Sequence, residues 1–232
     1  ATPDYYGIYA QRYSSTGAIL GSEFQVNTYT SYEQIDPVVA MDSTGNFVIA
    51  WRSKFQEGDH SGIYAQRYSS TGAILGSEFQ VNTYTANEQT DPSIAMDSTG
   101  NFIVTWQSDY QDTDYYGVYA QRYSSTGATV GPEFKVNTYV AHDQKASAVV
   151  MNGAGNFVIT WQSYTQDGNL EGVYAQRYAS TGAALGSEFQ VNTYTTLDQQ
   201  SPAAAMDSAG NFIVTWQSDY QDGYSYGIFG KR

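Results

Sequence analysis

The sequence predicts an all-β fold, a β-propeller of four four-stranded blades with terminal strand closure, and three observations lead there. Residues 7–226 are one 55-residue unit written four times without insertion or deletion: Gly7 recurs as Gly62, Gly117, Gly172 and Gly227, and Trp51 as Trp106, Trp161 and Trp216. A fixed period of this order marks a solenoid, propeller or array. Each unit holds four short runs rich in β-branched and aromatic residues, and none keeps the 3.6-residue apolar period of a helix.

The first run, Pro37-Val38-Val39-Ala40-Met41, stops at Asp42-Ser43-Thr44-Gly45-Asn46. Asp, Gly and Asn there are turn chemistry, since they tolerate positive φ or bond their own backbone, so Asp42–Asn46 reads as a hairpin turn rather than a ligand site. The second run, Phe47-Val48-Ile49-Ala50-Trp51, is apolar on both faces, the pattern of a strand covered on both sides. A polar loop leads to the third run, Gly62 to Tyr68, and Ser69 to Gly76 leads to the fourth, Glu78 to Asn82. Blades of this kind cannot cover their own faces alone and stack on one another, which assigns Trp51, Phe47 and Tyr64 to the layers between them. Arg67 and Glu78, each repeated, read as an ion pair fixing adjacent strands.

The chain 1–232 divides into repeats 7–61, 62–116, 117–171 and 172–226 and a terminal strand 227–232, taken together as one propeller domain. The third strand occurs five times, at Gly7 to Tyr13 and again at Gly227 to Arg232. In a closed ring Glu23 to Asn27 would finish the blade begun by Pro202 to Trp216, so two third strands compete for one place. The alternative is a larger ring or a filament formed by strand exchange between chains.

A net charge of −13 argues against nucleic acid, whose phosphates need a basic partner face. It also disfavours anionic membrane surfaces, and no apolar run approaches the length of a membrane-spanning helix. With no cysteine, disulfides and thiolate metal sites are excluded. The start at Ala1, without methionine, reads as a processed form or an excised piece.

Two loop sets are candidate sites. The loops after the second strands carry Glu57, Asp59, Asp112, Asp114, Asp167, Glu171 and Asp222. Carboxylates with glycine in tight loops suit Ca²⁺, which takes six to eight oxygens, making calcium the candidate cofactor; the alternative is a solvated hairpin loop. The connections between blades repeat an amide–aromatic triplet: Asn27, Tyr29, Gln34; Asn82, Tyr84, Gln89; Asn137, Tyr139, Gln144; and Asn192, Tyr194, Gln199. Flat rings beside amides are what a neutral sugar needs; equally, the amides can cap strand ends and pair backbone groups. His60 and His142 fall at unrelated repeat positions, and near-identical copies offer no asymmetric pocket, so the expectation is a chain that is not an enzyme.

The hairpin PVVAMDSTGNFVIAW resembles that of NHL-type propeller repeats, with Pro37, Pro92 and Pro202 in place and Ser147 and Asn152 departing. The whole unit, WQSDYQD followed by YGVYAQRYSSTGA, is similar to repeats of large secreted bacterial proteins of the RTX and hemolysin-type calcium-binding class. That resemblance implies secretion or a bacterial cell-surface location, calcium dependence and attachment to glycans. The RTX nonapeptide itself is absent. The expected function is a multivalent binding module for glycan or another surface polymer, with a structural repeat of an extracellular fibre, self-associating through its terminal strands, as the alternative.

Overall fold

The computed structural model of the chain describes residues 6–112 and 114–232. Its regular elements are all strands, in five antiparallel sheets. The first sheet pairs β1 (Tyr9–Tyr13) with β2 (Ile19–Gln25). The second runs β3 (Gln34–Met41), β4 (Phe47–Lys54), β5 (Ser61–Tyr68), β6 (Phe79–Gln80), and the third β7 (Gln89–Met96), β8 (Phe102–Asp109), β9 (Tyr116–Tyr123), β10 (Phe134–Lys135). The fourth contains β11 (Gln144–Met151), β12 (Phe157–Tyr164), β13 (Glu171–Tyr178) and β14 (Phe189–Gln190), and the fifth β15 (Gln199–Met206), β16 (Phe212–Asp219) and β17 (Tyr226–Lys231).

The first strand of each repeat starts earlier than Pro37 suggests. Its pairing slips between Ile35 and Val38, where Asp36 takes a φ of 55°, and Asp91, Ala146 and Ser201 repeat the bulge. A bulge is where a strand admits proline, which has no N–H for the ladder. The turn after it behaves as predicted: Asp42 Oδ1 accepts from the Thr44 and Asn46 backbone N–H groups at 2.8 and 3.0 Å. Burial alone would raise the Asp42 carboxyl; the hydrogen bonds from Asn46 and Thr44 outweigh it and hold the group below its usual range.

The sheets pack face to face in chain order. Val48, Ala50, Ile63 and Ala65 of the second sheet meet Phe102, Val104 and Trp106 of the third, while Phe47, Ile49 and Trp51 on its other face meet Ile8 and Val26 of the first. This explains the doubly apolar second strand. Trp51, Trp106 and Trp161 are fully buried.

Polar bonds repeat with the same step. The expected Arg67–Glu78 pair does not form. Arg67 leaves its own sheet and donates to the Ser125 and Thr126 carbonyls of the next one, at 2.6 and 2.5 Å. Arg12 reaches Ser70 O at 2.6 Å, and Arg122 reaches Thr181 O at 2.6 Å. Glu78 turns to the preceding connection, accepting from Thr28 N at 2.6 Å and from Gln56 Nε2 at 2.7 Å.

Both competing third strands find a place, in different sheets. β17 pairs with β16, and β1 pairs with β2 in a sheet of their own. Glu23 to Asn27 therefore does not finish the last blade, and among the described residues no hydrogen bond joins the first sheet to the fifth. The result is a propeller-type array of stacked sheets that hydrogen bonds do not close into a ring.

Candidate functional site

The loops after the second strands and the connections between sheets meet on one face. The Lys54, Asp109 and Tyr164 N–H groups each donate to a connection carbonyl, of Glu33, Glu88 and Asp143, at 2.9 Å. A recurring acid then crosses between sheets: Glu88 Oε2 accepts from Ser61 N at 3.2 Å, Asp143 Oδ1 from Tyr116 N at 3.4 Å, and Asp198 Oδ1 from Glu171 N at 3.3 Å.

The amide triplets sit beneath this face. Asn27, Asn82, Asn137, Asn192, Gln34, Gln89, Gln144 and Gln199 are buried. Asn27 Oδ1 accepts from Ile8 N at 2.7 Å, and its Nδ2 donates to Tyr29 O at 2.8 Å and to Gln34 Oε1 at 3.1 Å. Asn137 with Gln144 and Asn192 with Gln199 repeat the arrangement. These amides spend their hydrogen-bonding capacity holding the connection against the third strand. Only the half-buried Tyr29, Tyr84, Tyr139 and Tyr194 reach toward solvent.

The loop acids divide. Glu57, Asp112, Asp167 and Asp222 occupy one repeat position and fold back onto a glycine. The place a Cβ would take at Gly117 lies 2.6 Å from Asp112 Oδ2, at Gly172 2.8 Å from Asp167 Oδ2, and at Gly227 2.6 Å from Asp222 Oδ2; Glu57 lies likewise against Gly62. Burial pushes the Glu57 carboxyl up to about 7, against the lowering effect of its hydrogen bond from Asn82. Asp112 meets Lys135 Nζ at 3.7 Å, and Glu171 Oε1 meets Lys145 Nζ at 3.2 Å. Asp114 accepts from His142 N at 3.3 Å, while Asp59 is exposed. Among the described residues, no three carboxylate or imidazole groups come together as a metal site.

What does reach the surface is a row of rings between the third and fourth sheets. Tyr110 and Tyr115 have centroids 5.9 Å apart, Tyr115 and His142 6.3 Å, and His142 and Tyr164 5.7 Å. Tyr110 and Tyr115 are 51% and 47% exposed, and both hold positive φ, a costly conformation for a bulky side chain. Carboxylates border the row. Burial raises Asp109, and the neighbouring charges of Glu88 and Asp143 raise it further. Tyr32 edges onto Phe55 where the first sheet leads into the second (4.9 Å), and Tyr220, Tyr224 and Tyr226 stand exposed on the fifth sheet. Sequence reasoning missed this row because its members come from two repeats and do not recur together, only Tyr110 having a tyrosine counterpart, Tyr220. Its signal is the surplus of tyrosine in otherwise variable loops.

No protein-family model and no curated protein matches the chain. Solved structures do match, at low identity. An endo-arabinase from Bacteroides thetaiotaomicron aligns over 100% of this chain and 78% of its own, with 15% identity and a TM-score of 0.51. A Penicillium chrysogenum α-L-arabinanase complexed with arabinobiose aligns over 85% of this chain and 57% of its own, at 11% identity and a TM-score of 0.55. A Hadza microbial sialidase aligns over 84% and 44%, at 10% identity and a TM-score of 0.55. The chain thus spans less than two thirds of two of these three. The likeness fixes the fold and corrects the expectation that the chain is not an enzyme. That expectation took a repetitive propeller-type scaffold as evidence against catalysis, and enzymes that act on carbohydrate share the scaffold.

Proposed function

We propose that the chain engages carbohydrate through the ring row Tyr110–Tyr115–His142–Tyr164 and the carboxylates around it. The single observation carrying this reading is the exposure of the adjacent Tyr110 and Tyr115 rings, which run on through His142 to Tyr164 as one row. Sugar rings present apolar C–H faces that stack on such side chains, while equatorial hydroxyls seek nearby carboxylates. A net charge of −13 selects neutral polysaccharide over anionic polymers. The arabinose-directed relatives by fold favour the same class. The related clusters at Tyr32–Phe55 and Tyr220–Tyr226 give a polymer further points of contact along the array, which raises avidity without tighter individual sites. Export to a bacterial surface belongs to the same proposal.

Affinity electrophoresis in gels containing arabinan, xylan or galactan tests the reading. At least one neutral polymer should retard the chain, and Tyr110→Ala with Tyr115→Ala should weaken that binding about thirtyfold, since each of the two lost stacking contacts is worth ~1 kcal/mol. Retardation unaffected by both substitutions, or absent with every polymer, overturns it. Reducing ends released in the same incubations report whether the carboxylates also cleave.

A further inference from the structure

The turns after the first and third strands of each repeat lie at the end of the sheets opposite the ring row, and neighbouring sheets leave a slot between them. We infer that the slot between the third and fourth sheets is a second ligand site, which takes one neutral monosaccharide between the Asp97 carboxylate and the Arg122 guanidinium. It shares no residue with the ring row and stands or falls separately from it.

The same slot occurs at two successive interfaces, and it differs in size. Between the second and third sheets Asp42, Arg67 and Met96 line it, and between the third and fourth Asp97, Arg122 and Met151 take their places. The first encloses about 270 Å³ and the second about 450 Å³. Small-molecule sites span roughly 300–1,000 Å³, so the first is too tight and the second is not.

The sequence explains the difference. Leu75 walls the smaller slot, and its counterpart in the larger one is Val130, where the other repeats carry leucine at 20, 75 and 185. Across the slot Thr99 gives way to Ala154, in a turn that reads Asn152-Gly153-Ala154-Gly155-Asn156 instead of Asp97-Ser98-Thr99-Gly100-Asn101. Both changes remove side-chain atoms from the walls. The repeat thus departs from its own pattern where a cavity results. Phe102 and Tyr123, stacked at 4.8 Å and buried, close the slot from within, so it admits a single unit rather than a passing polymer.

Acceptors and donors remain free on its walls. Asp97 Oδ1 is saturated by Thr99 N, Thr99 Oγ1 and Asn101 N, at 2.8, 2.8 and 3.0 Å. Oδ2 accepts only from Asn101 Nδ2, at 2.7 Å, and reaches across the slot to within 3.3 Å of the place a Cβ would take at Gly155. Burial raises this carboxyl, but the bonds from Asn101 and Thr99 outweigh it and hold the group below its usual range, as an anion. Arg122 gives one N–H each to the Thr181 and Ser180 carbonyls. A guanidinium has five, so three remain. Arg67 spends another on Leu75 O at 3.4 Å; among the described residues Arg122 makes no such bond to Val130.

These groups select the ligand class. One carboxylate and one guanidinium cancel, so the slot calls for no net charge. An anionic ligand would meet Asp97 and a cationic one Arg122, each at the cost of like-charge contact. A hydroxyl does both tasks, donating to Asp97 Oδ2 and accepting from Arg122. Val130 and Met151 offer apolar contact between the two polar ends. Hydroxyls at the rim of a ring whose faces are C–H match that distribution, which is the chemistry of a sugar.

Saturation-transfer NMR and calorimetry with D-galactose, D-xylose and L-arabinose test the site. At least one sugar should bind once per chain with a Kd of about 1 mM. Val130→Leu with Ala154→Thr writes in the residues the neighbouring slot already accommodates, so the melting temperature should hold while affinity falls about tenfold or more. Arg122→Ala should weaken binding about tenfold, whereas Arg67→Ala, which loses the same staple at the smaller slot, should leave it unchanged. Tyr110→Ala with Tyr115→Ala should also leave it unchanged, which separates this site from the ring row. The inference is overturned if none of the three sugars binds at ~50 mM, or if the filled variant binds as tightly as the parent. Loss of binding in the tyrosine variant would overturn it too, as would tighter binding of free glycine or alanine than of any sugar.

Discussion

Asn82 Nδ2 donates to both oxygens of Glu57, at 3.3 and 3.2 Å, and this one contact rewires the amides beneath the loop face. In the other repeats the asparagine donates to the glutamine of its triplet, as Asn137 does to Gln144 at 3.1 Å. Glutamate is one methylene longer than Asp112 or Asp167 and reaches Asn82. Gln89 Oε1 is thereby freed to accept from Trp106 Nε1 at 2.9 Å.

The Glu57 carboxyl should make stability depend on pH near neutrality. Its folded value, about 7, lies above the ordinary glutamate value of 4.5, so the folded state holds the proton more tightly than the unfolded one. Its contribution is full below pH 4.5, falls as the pH rises to about 7 and is constant above. Melting temperatures of the chain and of Glu57→Gln, compared from pH 4 to 8, should diverge across that window, with the variant losing less. Parallel curves would contradict the assignment.

The indoles offer a paired comparison. Trp106→Phe should cost about 1 kcal/mol more than Trp161→Phe, because it also leaves Gln89 Oε1 without its donor, whereas Trp161 Nε1 has no partner to lose. Truncation of either to alanine should cost ~3–5 kcal/mol. Urea titrations with matched slopes would measure both.

Much of this was legible in the sequence, and the misses have physical causes. The doubly apolar run Phe47 to Trp51 announced a strand buried on both faces, and the Asp42–Asn46 turn announced itself. The bulge at Asp36 did not, because the same positive φ recurs at Asp91, Ala146 and Ser201, so strand pairing sets it rather than any one residue type, and Ala146 has no proline after it. Arg67 and Glu78 lie close in sequence, but each bonds a neighbouring sheet, and nearness along one chain says nothing about that step. Asn27 and Gln34 showed their recurrence but not whether they faced solvent or backbone. The shared position of Glu57, Asp112, Asp167 and Asp222 is visible, each following a recurring glutamine (Gln56, Gln111, Gln166, Gln221), but the sequence did not show that the carboxyl folds back onto the glycine five residues on.

The arginine staples should be worth something only where they are engaged. Arg67→Ala should lower stability by about 1–2 kcal/mol, since two charge-assisted bonds at a partly exposed site are lost. Arg177→Ala should be close to neutral in the isolated monomer. Equal losses at the two sites would refute the staple.

Gly127 and Gly17 separate backbone cost from collision. Both have positive φ, so alanine at either costs ~1–2 kcal/mol through conformation alone. At Gly127 the new Cβ would also meet Arg67 Nη1 at 2.7 Å, while at Gly17 it meets nothing. Gly127→Ala should therefore be the more destabilising in thermal melts, and Arg67→Ala in the same chain should recover the difference.

Among the described residues, the hydrogen bonds that span the longest stretch of chain are those of Arg12, Arg67 and Arg122, to partners 58 or 59 residues further on. Each sheet thus needs only its immediate predecessor to dock. Assembly can follow the order of synthesis, one layer settling on the last while later residues are still being made, and no layer waits for the far terminus. Length and register are then governed separately: removing or adding a whole 55-residue unit leaves each retained donor an acceptor, whereas inserting a single residue inside a unit breaks the spacing on which both its neighbours depend.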